Sequence, residues 1–159
     1  MLDRSDETLM GIALTEARIA FESGEVPVGA IVVLDGQVIA KAHNQVETLK
    51  DATAHAEILA ITQASAYIRD WRLTNAVMYV TKEPCAMCAG ALVNCRMGKA
   101  VVGAADPRYG AAGSALHVTS FPGHLHQVAV VFGILEEECR RLLQDFFRQT
   151  RSERNREKF

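Results

Sequence analysis

Two short stretches decide the reading of this chain: His55-Ala56-Glu57, and Pro84-Cys85-Ala86-Met87-Cys88. Between them they supply an imidazole, two thiols and a carboxylate. A structural Zn²⁺ site is closed by four protein ligands, whereas a catalytic one keeps three and leaves the fourth position to water. His55, Cys85 and Cys88 make three. Glu57, two residues beyond the histidine, is left over to move protons. Three ligands, a water and a base are the parts of a hydrolytic site. The Cys-x-x-Cys pair by itself also fits a redox pair or half of a structural zinc site. A closed structural site would need a further ligand, and Cys95 and Cys139 form no second Cys-x-x-Cys.

The spacing can be tested against helix geometry. Cys85 and Cys88 are three apart, so on a helix they share a face. Pro84 suits the first helical position, where its missing N–H costs nothing. Both sulfurs then sit at a helix N-terminus, where the macrodipole favours the thiolate form that binds metal. His55 and Glu57 are two apart and would point to different faces of a helix interior. They converge only if the helix begins there. Thr53 is the expected N-cap, and Ile58-Leu59-Ala60-Ile61 opens the apolar run. The pattern predicts two helix N-termini facing one metal.

The remaining elements follow from periodicity. Residues 6–23 read as a helix, with Leu9, Ile12, Ala13, Ala17, Ala20 and Phe21 at helical spacing and Gly24 as its stop. Residues 30–34 and 37–42 read as strands around Asp35-Gly36, a strong hairpin signal. Residues 44–53 read as loop and 54–68 as the helix carrying His55 and Glu57. Strands are expected at 76–81, 99–104 and 128–132, the second metal helix at 85–94, and a last helix at 135–149. A long loop rich in glycine and alanine runs through Ser114. Strands alternate with helices after the opening hairpin, which predicts a three-layer α/β/α arrangement on a mixed sheet.

At 159 residues the chain is expected to form one domain over residues 1–150, followed by a basic tail over 151–159. A hydrophobic content of 49% is that of an ordinary globular protein able to bury a core. The start, Met1 to Glu7, is polar and acidic, unlike a signal peptide, and no apolar run reaches membrane-spanning length. With two of four cysteines assigned to metal, Cys95 and Cys139 read as buried free thiols in a reducing cytoplasm. The net charge of −2 is not that of a general nucleic-acid binder. Residues 140–159, however, hold seven basic and three acidic side chains. Binding needs such a local patch rather than a basic total, although a solvated helix face has the same composition.

His-x-Glu followed by Pro-Cys-x-x-Cys is the known signature of the zinc-dependent nucleobase deaminases. The wider text resembles the bacterial tRNA-specific adenosine deaminases, in the cytidine/deoxycytidylate deaminase superfamily. The resemblance is carried by Glu25-Val26-Pro27-Val28-Gly29-Ala30, His43-Asn44, Thr53 to Glu57, Tyr79-Val80-Thr81, Glu83 to Leu92, Gly110-Ala111-Ala112-Gly113-Ser114 and Asp145-Phe146-Phe147. It implies the cytidine-deaminase-like fold, five strands with helices on both faces. It implies one Zn²⁺ per subunit on His55, Cys85 and Cys88, with Glu57 as the catalytic proton carrier. The implied reaction is hydrolytic conversion of adenosine to inosine at the wobble position of tRNA.

For substrate contacts the resemblance implies Asn44 on the flipped base, Val28 and Ala56 shaping the pocket, and Asp106 near the nucleotide 5′ to the target. Glu83 is expected beside the leaving group, and Phe147 and Arg148 against the anticodon stem-loop. Each has a plainer alternative: Asn44 as a loop cap, Asp106 as the start of an Asp-Pro turn, Glu83 as a carboxylate at a helix N-terminus. A homodimer is the family's form. Lys82, Leu125 and Gln127 depart from the family's usual residues and leave the zinc chemistry untouched. A deaminase of a free base or nucleoside (guanine or cytosine type) shares the same metal motif. A zinc-stabilised RNA-binding module without catalysis would have no use for Glu57 beside an open metal position.

Overall fold

The computed structural model describes residues 4–158. Met1, Leu2 and Asp3, part of the start read as no targeting segment, and Phe159, the end of the basic tail, lie outside the described residues.

Helix α1 (Asp6–Glu22) begins at Ser5, whose hydroxyl accepts the Thr8 N–H at 3.2 Å. Asp6 and Glu7 add negative charge to its first turn, where the helix dipole favours it. Strands β1 (Gly29–Leu34) and β2 (Gln37–His43) form the expected hairpin. Asp35 and Gly36 take φ of 51° and 76°. This doubly left-handed turn matches the twist of the strands it joins.

Next come α2 (Val46–Leu49), α3 (Ala56–Ile68), β3 (Val77–Lys82), α4 (Ala86–Asn94), β4 (Lys99–Ala104), β5 (Ala129–Phe132) and α5 (Glu136–Glu157). Four elements differ from the sequence reading. Helix α2 lies inside the segment expected to be loop. The last helix, expected to end at Gln149, continues without a break to Glu157. The two metal-side helices begin at Ala56 and Ala86, each one residue past its ligand.

The sheet is five-stranded and mixed, in the order β2-β1-β3-β4-β5. β1 is antiparallel to both β2 and β3, whereas β3, β4 and β5 run parallel. Strand side chains alternate between the two faces. Ala30, Val32, Met78, Val80, Ala100 and Val102 pack with α3 and α4 through Ala56, Ala60, Ala64, Leu92 and Val93. Ile31, Val33, Tyr79 and Val101 pack on the other face against Leu9, Met10, Ala13 and Leu14 of α1 and Cys139 of α5. Burying an Ile, Val or Met side chain this fully stabilises the fold by about 1.5–3 kcal/mol each. The result is the expected three-layer α/β/α arrangement.

Because β1 runs against β3, the start of β1, the end of β2 and the ends of β3 and β4 share one edge of the sheet, as the pairs Gly29–His43 and Lys82–Ala104 show. The loops at that edge carry Val28, Asn44, Glu83 and Asp106. Ligands of open α/β sheets bind outside the carboxyl ends of the parallel strands, which is this edge. Among the described residues no helix is long and apolar enough to cross a membrane.

Candidate active site

Helices α3 and α4 start at the same edge. His55 is the N-cap of α3 (φ −72°, ψ 150°) and Cys85 the N-cap of α4 (φ −71°, ψ 178°). Neither side chain caps its own helix, so both are free to turn inward. Thr53, expected as the N-cap of α3, is engaged elsewhere: its hydroxyl and its N–H both donate to Asp51 Oδ1, at 2.7 and 2.8 Å. Pro84 stands before the cap rather than at the first helical position.

His55 Nδ1 lies 3.7 Å from Cys85 Sγ and 3.5 Å from Cys88 Sγ. The three ligand atoms lie within 4.8 Å of one another, a group able to hold a metal ion. Hydrogen bonding from Cys88, then from His55, pulls the Cys85 thiol down to about 3, which favours its thiolate form. The Cys85 partnership, reinforced by burial, pushes Cys88 up. His55 is raised, first by its hydrogen bond with Cys85.

Glu57 is 4% exposed and lines the same cavity. Burial holds its carboxyl above the usual carboxylate range, against hydrogen bonds from its own N–H and from Cys88. A carboxylate raised in this way is a better proton acceptor near neutral pH. The cavity has a volume of about 770 Å³. Val28, Asn44, Ala56, Glu83, Asp106 and Phe147 also line it, so the fold brings these expected contact residues together.

Their local bonds divide them. Asn44 holds the chain around itself: Oδ1 accepts the Val46 N–H and Nδ2 donates to the Val26 carbonyl, both at 3.3 Å. An amide keeps one further N–H and one further lone pair beyond these. Glu83 is buried, and both of its oxygens serve one loop. Oε1 accepts from the Asp106 N–H at 3.1 Å and from the Ser114 hydroxyl. Oε2 accepts the N–H groups of Ala112 and Ser114 at 3.1 and 3.2 Å. Glu83 therefore anchors the wall of the cavity that it also lines. Asp106 makes the expected turn, its Oδ1 accepting from Arg108 and Tyr109 N–H. Its Oδ2 also pairs with Lys82 Nζ at 3.2 Å.

Arg148 is the one expected contact residue that does not line this cavity. It lies outside the cavity, in a shallow groove on the outer face of α5, 3.6 Å from Asp145. Four other residues of α5 line the cavity: Phe146, Thr150, Arg151 and Arg154. Phe146, read from the sequence as core, meets Phe21 edge-on at 5.6 Å and also borders the cavity. Helical phase was the available signal, since Phe147, Arg151 and Arg154 recur at i, i+4 and i+7. Glu25 was also overlooked. It is 1% exposed and accepts the Glu47 N–H at 2.9 Å, and the Thr48 N–H and hydroxyl both at 2.7 Å.

The family model of the MafB19-like deaminases matches residues 4–151. The tRNA-specific adenosine deaminase of Bacillus subtilis (strain 168) is 47% identical over 149 residues, which is 94% of this chain and 92% of its own. That of Aquifex aeolicus (strain VF5) is 45% identical over 92% of this chain and 96% of its own. Among solved structures, one from a study of A-to-I editing by tRNA:A34 deaminases at the wobble position superposes with a TM-score of 0.83. It is 44% identical and covers 86% of this chain and 99% of its own.

Proposed function

The chain belongs to the MafB19-like deaminase family, and from that premise we propose that it is a zinc-dependent tRNA adenosine deaminase, converting adenosine to inosine at the wobble position. In reaction terms it is a hydrolase acting on the carbon–nitrogen bond of a cyclic amidine. The observation that carries this reading is the likeness to tRNA-specific relatives over more than nine-tenths of the chain, with His55, Glu57 and Cys85 lining one cavity and the Cys88 sulfur grouped with His55 and Cys85 beside it.

Zinc is the metal this donor set suits, one ion per subunit. Zn–S bonds of about 2.3 Å and a Zn–N bond of about 2.05 Å at a tetrahedral angle place N and S about 3.6 Å apart. The two distances from His55 Nδ1 are 3.7 and 3.5 Å. When bound, the ion supplies Lewis acidity, lowering the pKa of a water from about 15.7 to about 7.

Glu57 does the proton work. Its buried carboxyl accepts the proton of the attacking water and delivers protons to the purine ring nitrogen and then to the departing amine. The water oxygen bonds to carbon 6, the exocyclic C–N bond breaks, ammonia leaves and the base becomes hypoxanthine. Asn44 offers its remaining donor and acceptor to the base edge, between walls formed by Val28 and Ala56. Phe147, Arg151 and Arg154 give the mouth an aromatic face and two cations, suited to an extruded base and its flanking phosphates. An anticodon loop makes extrusion cheap, because its bases are already unpaired.

Asp106 borders the position of the nucleotide 5′ to the target, and Glu83 holds the loop behind it. Residues 1–150 carry the chemistry and 151–159 extend it with basic charge, a division of composition along one helix. A homodimer is part of this proposal, supported by the exposed Leu116, Phe121 and Leu125 in one loop. The enzyme is placed in the cytoplasm, where reduced Cys95 and Cys139 are stable.

The test is inosine formation by zinc-loaded protein on an anticodon stem-loop with adenosine at the first anticodon position. Glu57→Ala, free adenine, guanine, adenosine and cytidine serve as parallel trials. Inosine at that position alone, lost in the variant, is the expected result. Ammonia from a free base with no RNA conversion would move the protein to the base-deaminase reading.

A further inference from the structure

Two consecutive residues of opposite charge at the end of β3 reach the same loop after β4. Glu83 takes it from the inside, through the N–H groups of Asp106, Ala112 and Ser114. Lys82 takes it from the cavity side, with its ammonium 3.2 Å from Asp106 Oδ2. The Asp106 side chain is 14% exposed and that of Lys82 is 32% exposed, so the pair is shielded better than an ordinary surface ion pair. The other Asp106 oxygen holds the N–H groups of Arg108 and Tyr109, at 3.0 and 3.2 Å. Asp106 is thus gripped at three points: its N–H and both its carboxylate oxygens.

Charge gives Lys82 a second task. Among the described residues, Glu25, Glu47, Glu57, Glu83 and Asp106 line this cavity, and Lys82 is the one Lys or Arg that lines it outside α5. A wall of carboxylates repels a polyanionic strand, and the ammonium beside Asp106 offsets one of them.

We propose that Lys82 is a positioning residue for the deamination: by clamping Asp106 it fixes the Asp106–Ser114 loop as the wall against which the extruded nucleotide rests. The proposal rests on the tRNA deaminase reading above. Lys82 does not touch the reacting atoms, so its removal acts on substrate affinity. A KM rise with little change in kcat is the signature of an interaction equally strong in ground and transition states.

The experiment compares zinc-loaded wild type, Lys82→Met, Lys82→Arg, Asp106→Asn and the double variant Lys82→Met/Asp106→Asn on the anticodon stem-loop. Amide hydrogen exchange is followed in parallel across residues 104–116. Lys82→Met is expected to raise KM about fivefold with kcat within about twofold. Lys82→Arg is expected to restore most of the loss. The double variant is expected to be no worse than the more damaged single one, since residues in contact do not add. Exchange at Arg108 and Tyr109 should quicken about threefold or more in Lys82→Met, with α3 and α4 unchanged. An unchanged KM, multiplicative losses in the double variant, or unchanged exchange at those two amides would overturn the proposal. Wild-type protein that forms no inosine from RNA would instead sink the functional reading, and the exchange comparison would still decide the clamp.

Discussion

Gly110 packs its α-carbon so tightly against the carboxylate of Glu83 that a Cβ there would overlap it. The same carboxylate binds Ala112 and Ser114 on the far side of the glycine, so the loop folds around a buried anion. Gly110→Ala must therefore displace either the carboxylate or the loop. It is expected to cost about 1–3 kcal/mol of stability, a fall in Tm of several degrees. Deaminase activity should fall further than stability does, because the displaced wall borders the cavity. Thermal melts and kinetics of the one variant check both.

Glu57 sits buried in the cavity that His55 and Cys85 also line. Glu57→Gln is expected to lower turnover by about 10²–10⁴, with zinc content unchanged. Its Tm should hold or rise, since a buried carboxyl is costly to charge and the amide is not charged at all. Metal analysis, melting and single-turnover kinetics separate these three effects.

Removal of the metal should expose one cysteine selectively. Cys85, with its thiol pulled down to about 3, is a thiolate on a cavity wall, whereas burial pushes Cys95 to about 11 and Cys139 to about 12. Chelator-treated protein is expected to be alkylated by iodoacetamide first at Cys85 near neutral pH, and zinc should protect it. Peptide mass mapping with and without zinc reads the order. Zinc above its Kd should also raise Tm, by about 2.7 kcal/mol of stabilisation at a hundredfold excess over Kd.

Glu25 makes a pH-dependent contribution. Burial pushes its carboxyl up, but the hydrogen bonds from Thr48 and the Glu47 N–H outweigh this, and the folded value lies below the ordinary 4.5. A lowered folded value means stability that is complete above 4.5 and lost as the pH falls through the folded value. Glu25→Gln is therefore expected to cost about 1.5–3 kcal/mol at pH 7, typical of bonds to a charged group. The gap to wild type should close as the pH drops below 4.5. Denaturant titrations at pH 7 and pH 3.5 test the sign.

Much of the site was legible because metal binding restricts residue type and spacing so strongly. His55, Glu57, Cys85 and Cys88 could be read together, and the alternating strands gave the layers. What was not legible depends on distant partners. Helix α2 is four residues long, too short to announce itself by periodicity, and two of its N–H groups are taken by Glu25, 22 and 23 positions upstream. The final turns of α5 carry no apolar stripe, so composition suggested a fraying tail where the chain is helical. Arg148 and Arg151 look alike in sequence, and only the phase of α5 against the cavity separates them. The pairing of Lys82 with Asp106 joins positions brought together by the parallel register of β3 and β4.

Helix α5 has one further consequence. Cys139 is its one buried residue, yet its second half supplies an entire side of the cavity mouth. His55, Cys85 and Cys88 stand at the N-termini of α3 and α4, across the sheet from it. That side of the mouth therefore belongs to a different layer of the fold from His55, Cys85 and Cys88. A different helical segment from Phe147 onward would reshape that side of the mouth and leave His55, Glu57, Cys85 and Cys88 where they stand.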